Sequence, residues 1–182
     1  MERGDRAGFV CGGEGWAVVG QRMRFVELIE KGGVLLGPPC GTFSDAVGGL
    51  VDVLIGNQRL PAALRQRAVR SVCERESMAS TAIVEIGVSV PHARLEGVTG
   101  VVAALAAAPT ALYYATAGVP ISIMVLVFSA PDLIGEHLNA LAGVSLLLQS
   151  ATLRRRIEHA VDSATALRIL RGDSGASRSA MS

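Results

Sequence analysis

Three histidines carry most of the chemical potential of this 182-residue chain: His92, His137 and His159. His92 follows Pro91 at the end of an apolar segment. A proline of fixed φ holds the next side chain in one place, a good platform for a nucleophile; the plainer reading is a turn histidine without a role. His137 falls inside an apolar helical stripe, where an imidazole must find a hydrogen-bond partner or border a cleft; a satisfied core histidine is the alternative. His159 sits among Arg154, Arg155, Arg156 and Glu158 and reads as a solvated surface group. Arg75 suits bidentate anion binding, or is a helix-end charge favoured by the helix dipole. Its neighbours Glu74 and Glu76 read as an ordinary charge cluster. The sequence contains no Walker loop, no G-x-G-x-x-G leading into a helix, no G-x-S-x-G and no H-E-x-x-H, so phosphate drawn directly from ATP is not expected. Cys11, Cys40 and Cys73 lack metal-ligand spacing, and three cysteines do not make a disulfide framework. They read as reduced thiols, with Cys73 in the core, and no metal or organic cofactor is expected.

The elements that must position these residues follow from apolar periodicity. Half the residues are hydrophobic, ample for one core. Seventeen basic residues nearly balance sixteen acidic ones, for a net charge of +1, so no basic footprint argues for nucleic acid. Residues 1–22 are glycine-rich without a period and are expected to form a flexible extension; they show no signal-peptide pattern, and a cytoplasmic protein is expected. Ser44 is the expected N-cap of a helix through Ile55, carrying Val47, Leu50, Val51, Leu54 and Ile55 at helical spacing and stopped by Gly56. Pro61 suits the first turn of the next helix, whose buried face would be Leu64, Ala68, Val69, Val72 and Cys73, with Arg65, Arg67 and Arg70 solvated. Residues 81–90 read as one strand ending at Pro91-His92. Residues 97–131 contain no charge, a length that raises the question of a membrane span. Pro109 and Pro120, with Gly100, Thr110, Thr116 and Gly118, break the stretch into the strand-sized pieces 101–108, 111–116 and 121–129. These read as strands buried on both faces. A helix over 131–149 places Ile134, Leu138, Leu141 and Leu148 on one stripe, and further helix is expected over 152–161 and from 163 to Gly172. Residues 173–182 read as a disordered tail. The order of helices, strands, then helices predicts an α/β (α+β) fold, a mixed β-sheet flanked by helices, over residues 23–172.

The run Glu74-Arg75-Glu76-Ser77-Met78-Ala79-Ser80-Thr81, followed by Gly87-Val88-Ser89-Val90-Pro91-His92-Ala93-Arg94 and the distant Glu136-His137-Leu138, resembles the active-site signature of the fructose/mannitol (type 2) enzyme IIA family. This family belongs to the bacterial phosphotransferase system and includes its nitrogen-regulatory branch. The resemblance runs from about Phe25 to Gly172. It implies that His92 accepts a phosphoryl group from an HPr-like phosphocarrier, that His137 orients or hydrogen-bonds the imidazole or the phosphoryl group, and that Arg75 binds phosphoryl oxygens. An enzyme IIB domain would be the acceptor in sugar uptake; alternatively, phosphorylation would control binding to a regulated kinase or transporter. The turn 84–87 departs from the family's Gly-Asn-Gly and adds Glu85, which would oppose a phosphoryl dianion if it faced the site. Transfer to a histidine asks mainly for position and charge. One ring nitrogen must be bare and the other must donate to a fixed acceptor, here expected to be a backbone carbonyl near His92. Ser80 and Thr81 are candidates to complete the phosphate cradle. Docking is expected to use apolar surface from Val88, Val90 or Leu95.

Overall fold

The computed structural model describes residues 13–37, 41–115 and 118–172. The expected 173–182 tail, residues 1–12, Cys11 and Cys40 lie outside the described residues. The chain order is α1 (Gly13–Gly32), β1 (Val34–Leu36), α2 (Phe43–Gly56), α3 (Arg65–Met78), β2 (Ala82–Ile83), β3 (Val88–Ser89), β4 (His92–Arg94), β5 (Val101–Ala107), β6 (Tyr113–Tyr114), β7 (Pro120–Ile121), β8 (Ile123–Ser129), α4 (Ile134–Leu148), α5 (Ala151–Glu158) and α6 (Ser163–Arg171).

The charge-free stretch is sheet. β5 and β8 pair antiparallel over their full lengths, Val101 opposite Ser129 and Ala107 opposite Ile123. Around this central pair the order is β1-β5-β8-β3-β2, with β4 continuing the β3 edge alongside β8. β1 is parallel to β5, and β3 and β4 are parallel to β8. Side chains alternate between faces, and both faces are covered. Ala103, Leu105, Ala107, Ile123, Val125 and Val127 meet α1, α4, α5 and α6 residues on one side. Ala104, Ala106, Met124, Leu126 and Phe128 meet α2 and α3 residues on the other. Double burial is why these strands carry no polar alternation. No helix among the described residues is long and apolar enough to cross a membrane.

Several local expectations change. The helix α1 runs straight across the boundary expected at residue 23, because Phe25, Val26 and Ile29 give it a buried face on the sheet. Thr42 rather than Ser44 caps α2: its hydroxyl accepts from Asp45 N, and the Asp45 carboxylate accepts from Thr42 N, each at 3.1 Å. This reciprocal pair satisfies two of the donors left free at a helix start. Arg65 is exposed as expected, and it also forms a two-pronged pair with Asp52 at 2.6 and 2.8 Å that ties α3 to α2. Cys73 is half-buried. Residues 81–90 are not one strand. A single 3-10 turn over Val84–Ile86 separates β2 from β3 and closes on Gly87 at φ 65°, a conformation that favours glycine. On α4 the buried face is His137, Ala140, Gly143, Val144, Leu147 and Leu148. Of the expected stripe, Ile134 and Leu138 are 56% and 60% exposed. Small residues win because α1 crosses so closely that a side chain on Gly143 would meet Phe25 Cβ at 2.8 Å.

Candidate functional site

Pro91 has no N–H to donate and lies in the gap between β3 and β4; its carbonyl still accepts from Val127 N, and pairing resumes with His92 opposite Val127. His92 therefore opens β4 and does not close a strand. Alternation then sorts the side chains. Ala93 packs with the α2–α3 core, so His92 and Arg94 project to the α4 side. On β8, Phe128 belongs to the α2–α3 core, which sends Ser129 to the α4 side as well, directly across from Arg94. α4 delivers His137 to the same place: the rings of His92 and His137 lie 5.5 Å apart, centre to centre, inclined by 56°.

Each imidazole is held by one nitrogen. Nδ1 of His92 lies 2.8 Å from the Val90 carbonyl oxygen. A carbonyl only accepts, so Nδ1 carries a proton, and the neutral form of the ring keeps its lone pair on Nε2. The expected backbone acceptor is thus Val90. Nδ1 of His137 lies 2.9 Å from the Ser129 hydroxyl. His137 is 8% exposed. Burial above all, then the nearby His92 and the Arg94 guanidinium, push its pKa below the ordinary imidazole value. The same causes favour the neutral form of the ring.

Arg75 comes from the opposite layer, in the last turn of α3, which packs against β4. Its guanidinium donates to the Ala79 carbonyl at 3.2 Å and makes no hydrogen bond to either imidazole. Arg94, not singled out by sequence, is the cation that faces His137. Ser80 and Thr81 are not free donors. Glu76 accepts from both hydroxyls, at 2.8 and 2.6 Å, and from Thr81 N at 3.0 Å. A phosphoryl oxygen would have to displace that carboxylate. Glu85 is exposed on its 3-10 turn. Val88 and Leu95, expected on a docking surface, are buried, and Val90 is half-buried. Two side chains beside the imidazoles were not marked by the sequence. Ser129 ends an apolar strand run with nothing to distinguish it, and Arg94 could be placed only once the strand register was known.

The site thus pairs a strand-borne imidazole held by a backbone carbonyl with a second imidazole held by a serine hydroxyl. Residues 27–172 match the family described as phosphoenolpyruvate-dependent sugar phosphotransferase system, EIIA 2. The chain belongs to this family. No curated protein matches it. Among solved structures it is similar to the nitrogen regulatory protein IIA-Ntr of Neisseria meningitidis (TM-score 0.66, 20% identity, 81% of this chain and 99% of that one). It is also similar to the mannitol-specific cryptic phosphotransferase enzyme IIA CmtB of Escherichia coli (TM-score 0.63, 19% identity, 81% and 98%). A third similar structure is the complex of enzyme IIA-Mtl with phosphorylated enzyme IIB-Mtl of Escherichia coli (TM-score 0.61, 15% identity, 77% and 94%). At these identities the likeness is one of fold, and the fold is that of type-2 enzyme IIA.

Proposed function

We propose that the protein is a phosphoryl carrier that accepts the group on Nε2 of His92 from a histidine-phosphorylated, HPr-like donor and passes it to an enzyme IIB-type acceptor. The observation that carries this reading is the 2.8 Å bond between Nδ1 of His92 and the Val90 carbonyl. The lone pair on Nε2 attacks phosphorus in line; the donor's N–P bond breaks, and its ring leaves as a neutral imidazole. His92 keeps its Nδ1 proton, so the phosphorylated ring carries the positive charge, partly met by the Val90 carbonyl. A cationic ring is a good leaving group, which keeps the phosphoryl group transferable. Arg94, and Arg75 if it leaves the Ala79 carbonyl, supply charge for the phosphoryl oxygens. The IIB-type acceptor is inferred from the fold shared with a IIA domain solved in complex with phosphorylated IIB. Exposed Ile134 and Leu138, on either side of His137 along α4, offer the docking surface.

The test is incubation with phosphoenolpyruvate, enzyme I and HPr, followed by intact-mass measurement. The expected result is a gain of one phosphoryl group that is lost in His92→Ala. No gain, under conditions that label a control enzyme IIA, removes the carrier reading. Adding a IIB domain then separates a sugar-uptake carrier, which discharges to it, from a protein whose phosphorylation controls a regulated partner, which does not.

A further inference from the structure

Ser129 has no accessible surface, and its backbone is committed to the sheet, its carbonyl accepting from Leu95 N. Its hydroxyl has one hydrogen-bond partner among the described residues, Nδ1 of His137 at 2.9 Å. The direction of that bond decides which nitrogen of His137 holds the ring proton. If Nδ1–H donated to Ser129, the hydroxyl's own proton would be left buried with no acceptor among the described residues, and orphaned buried donors are rare. If Ser129 donates, its proton and the Nδ1 lone pair satisfy each other, and only an idle oxygen lone pair remains. The neutral state of His137 makes this available: an imidazolium would carry protons on both nitrogens and force the hydroxyl to accept.

We propose that Ser129 is the positioning residue of the site: its buried hydroxyl donates to Nδ1 of His137 and fixes that ring as the Nε2–H tautomer. The two imidazoles are then set in opposite senses by their anchors. Val90, an obligate acceptor, leaves His92 with a bare Nε2; Ser129, acting as donor, leaves His137 with a protonated one. The site so presents one nucleophilic nitrogen and one hydrogen-bond donor in the same place. That donor suits a phosphoryl oxygen, whereas the other tautomer would turn a lone pair toward it. Use of the N–H in phosphoryl transfer rests on the carrier reading; the tautomer itself does not.

The experiment is nitrogen-15 NMR of the imidazole rings in the full chain at a pH where both rings are neutral, for wild type, Ser129→Ala and Ser129→Cys, with rates of transfer from phosphorylated HPr measured alongside. Wild type is expected to show a protonated Nε2 and a bare Nδ1 on His137. In Ser129→Ala the two nitrogens move toward averaged shifts and transfer slows about tenfold, as for loss of one charge-assisted hydrogen bond. Ser129→Cys, which keeps a weak donor of similar size, recovers part of both. A protonated Nδ1 in wild type, or an unchanged tautomer in Ser129→Ala, overturns the proposal. Should Ser129→Ala fail to fold, the wild-type spectrum alone decides. If no variant accepts a phosphoryl group while the nitrogens behave as expected, the carrier reading falls and the role of Ser129 stands.

Discussion

Burial, His92 and Arg94 hold the pKa of His137 below 6.5, whereas in the unfolded chain none of them acts. Between the folded value and about 6.5 the unfolded state therefore binds more protons, and stability rises with pH through that window. The contribution is complete above it and is lost as acid is added. Denaturation midpoints at pH 7.5 and 5.5 are expected to show wild type weaker at the lower pH and His137→Gln with a smaller loss. The same loss in both would exonerate His137. Asp52, Glu30 and Asp162, with lowered carboxyl pKa values, act only at still lower pH. Glu76 is a second residue whose role lies in its partners. Its carboxylate accepts from Ser80, Thr81 Oγ1 and Thr81 N, and Glu76→Gln turns one acceptor oxygen into a donor facing donors. A loss of about 1–2 kcal/mol is expected by chemical denaturation. At this scale the sequence showed the histidines, because few residue types do their chemistry and their separation is unusual. It hid Glu76 in a charge cluster and Ser129 in an apolar strand, because a hydrogen bond is a fact about neighbours in space.

The elements pack closely where glycine and alanine replace larger side chains. At the end of α1, a Cβ on Gly32 would lie 1.6 Å from the Ala103 carbonyl oxygen. That oxygen belongs to the central strand and has no room to move, so Gly32→Ala must lift α1 off β5. We expect a loss of ~3 kcal/mol and a lowered Tm, as for severe overpacking. Gly56→Ala, where a Cβ meets nothing within 4 Å, is the control and should change stability by no more than about 0.5 kcal/mol. A wild-type melt for Gly32→Ala would show that the helix can shift without cost. The same close packing explains which elements were legible. β5 and β8 could be read because two-sided burial leaves an unbroken apolar run. The buried face of α4 could not, since it is marked by Ala140 and Gly143, while the bulky Ile134 and Leu138 face out. α1 was hidden because its early glycines obscure any period, and the helix is held by Phe25, Val26 and Ile29 against the sheet and not by local propensity.

Taken as one body, the protein has two ends. His92, His137, Arg94 and Ser129 lie where β4 and β8 finish and β5 begins. At the other end of β5, Val161 stands near Ala107 and Leu36, lining a cavity of about 560 Å³. Both ends expose large apolar side chains: Ile134 and Leu138 at the first, Val161 at the second. If the carrier reading holds, only the first end meets a donor, since the donor's own histidine must reach Nε2 of His92. Such encounters bury little area and lean on a few apolar anchors. Leu138→Gln keeps the side chain's bulk and its fitness for a helix, and adds no charge to disturb the phosphoryl group. It is expected to raise the KM for phosphorylated HPr by about tenfold, as loss of one anchor would, while leaving Tm within a degree or so of wild type, because an exposed side chain contributes little to folding. Val161→Gln makes the same chemical change at the far end and should alter neither quantity. Equal effects of the two substitutions on KM would mean that docking is not confined to the α4 end, and a wild-type KM for Leu138→Gln would move the contact off α4 altogether.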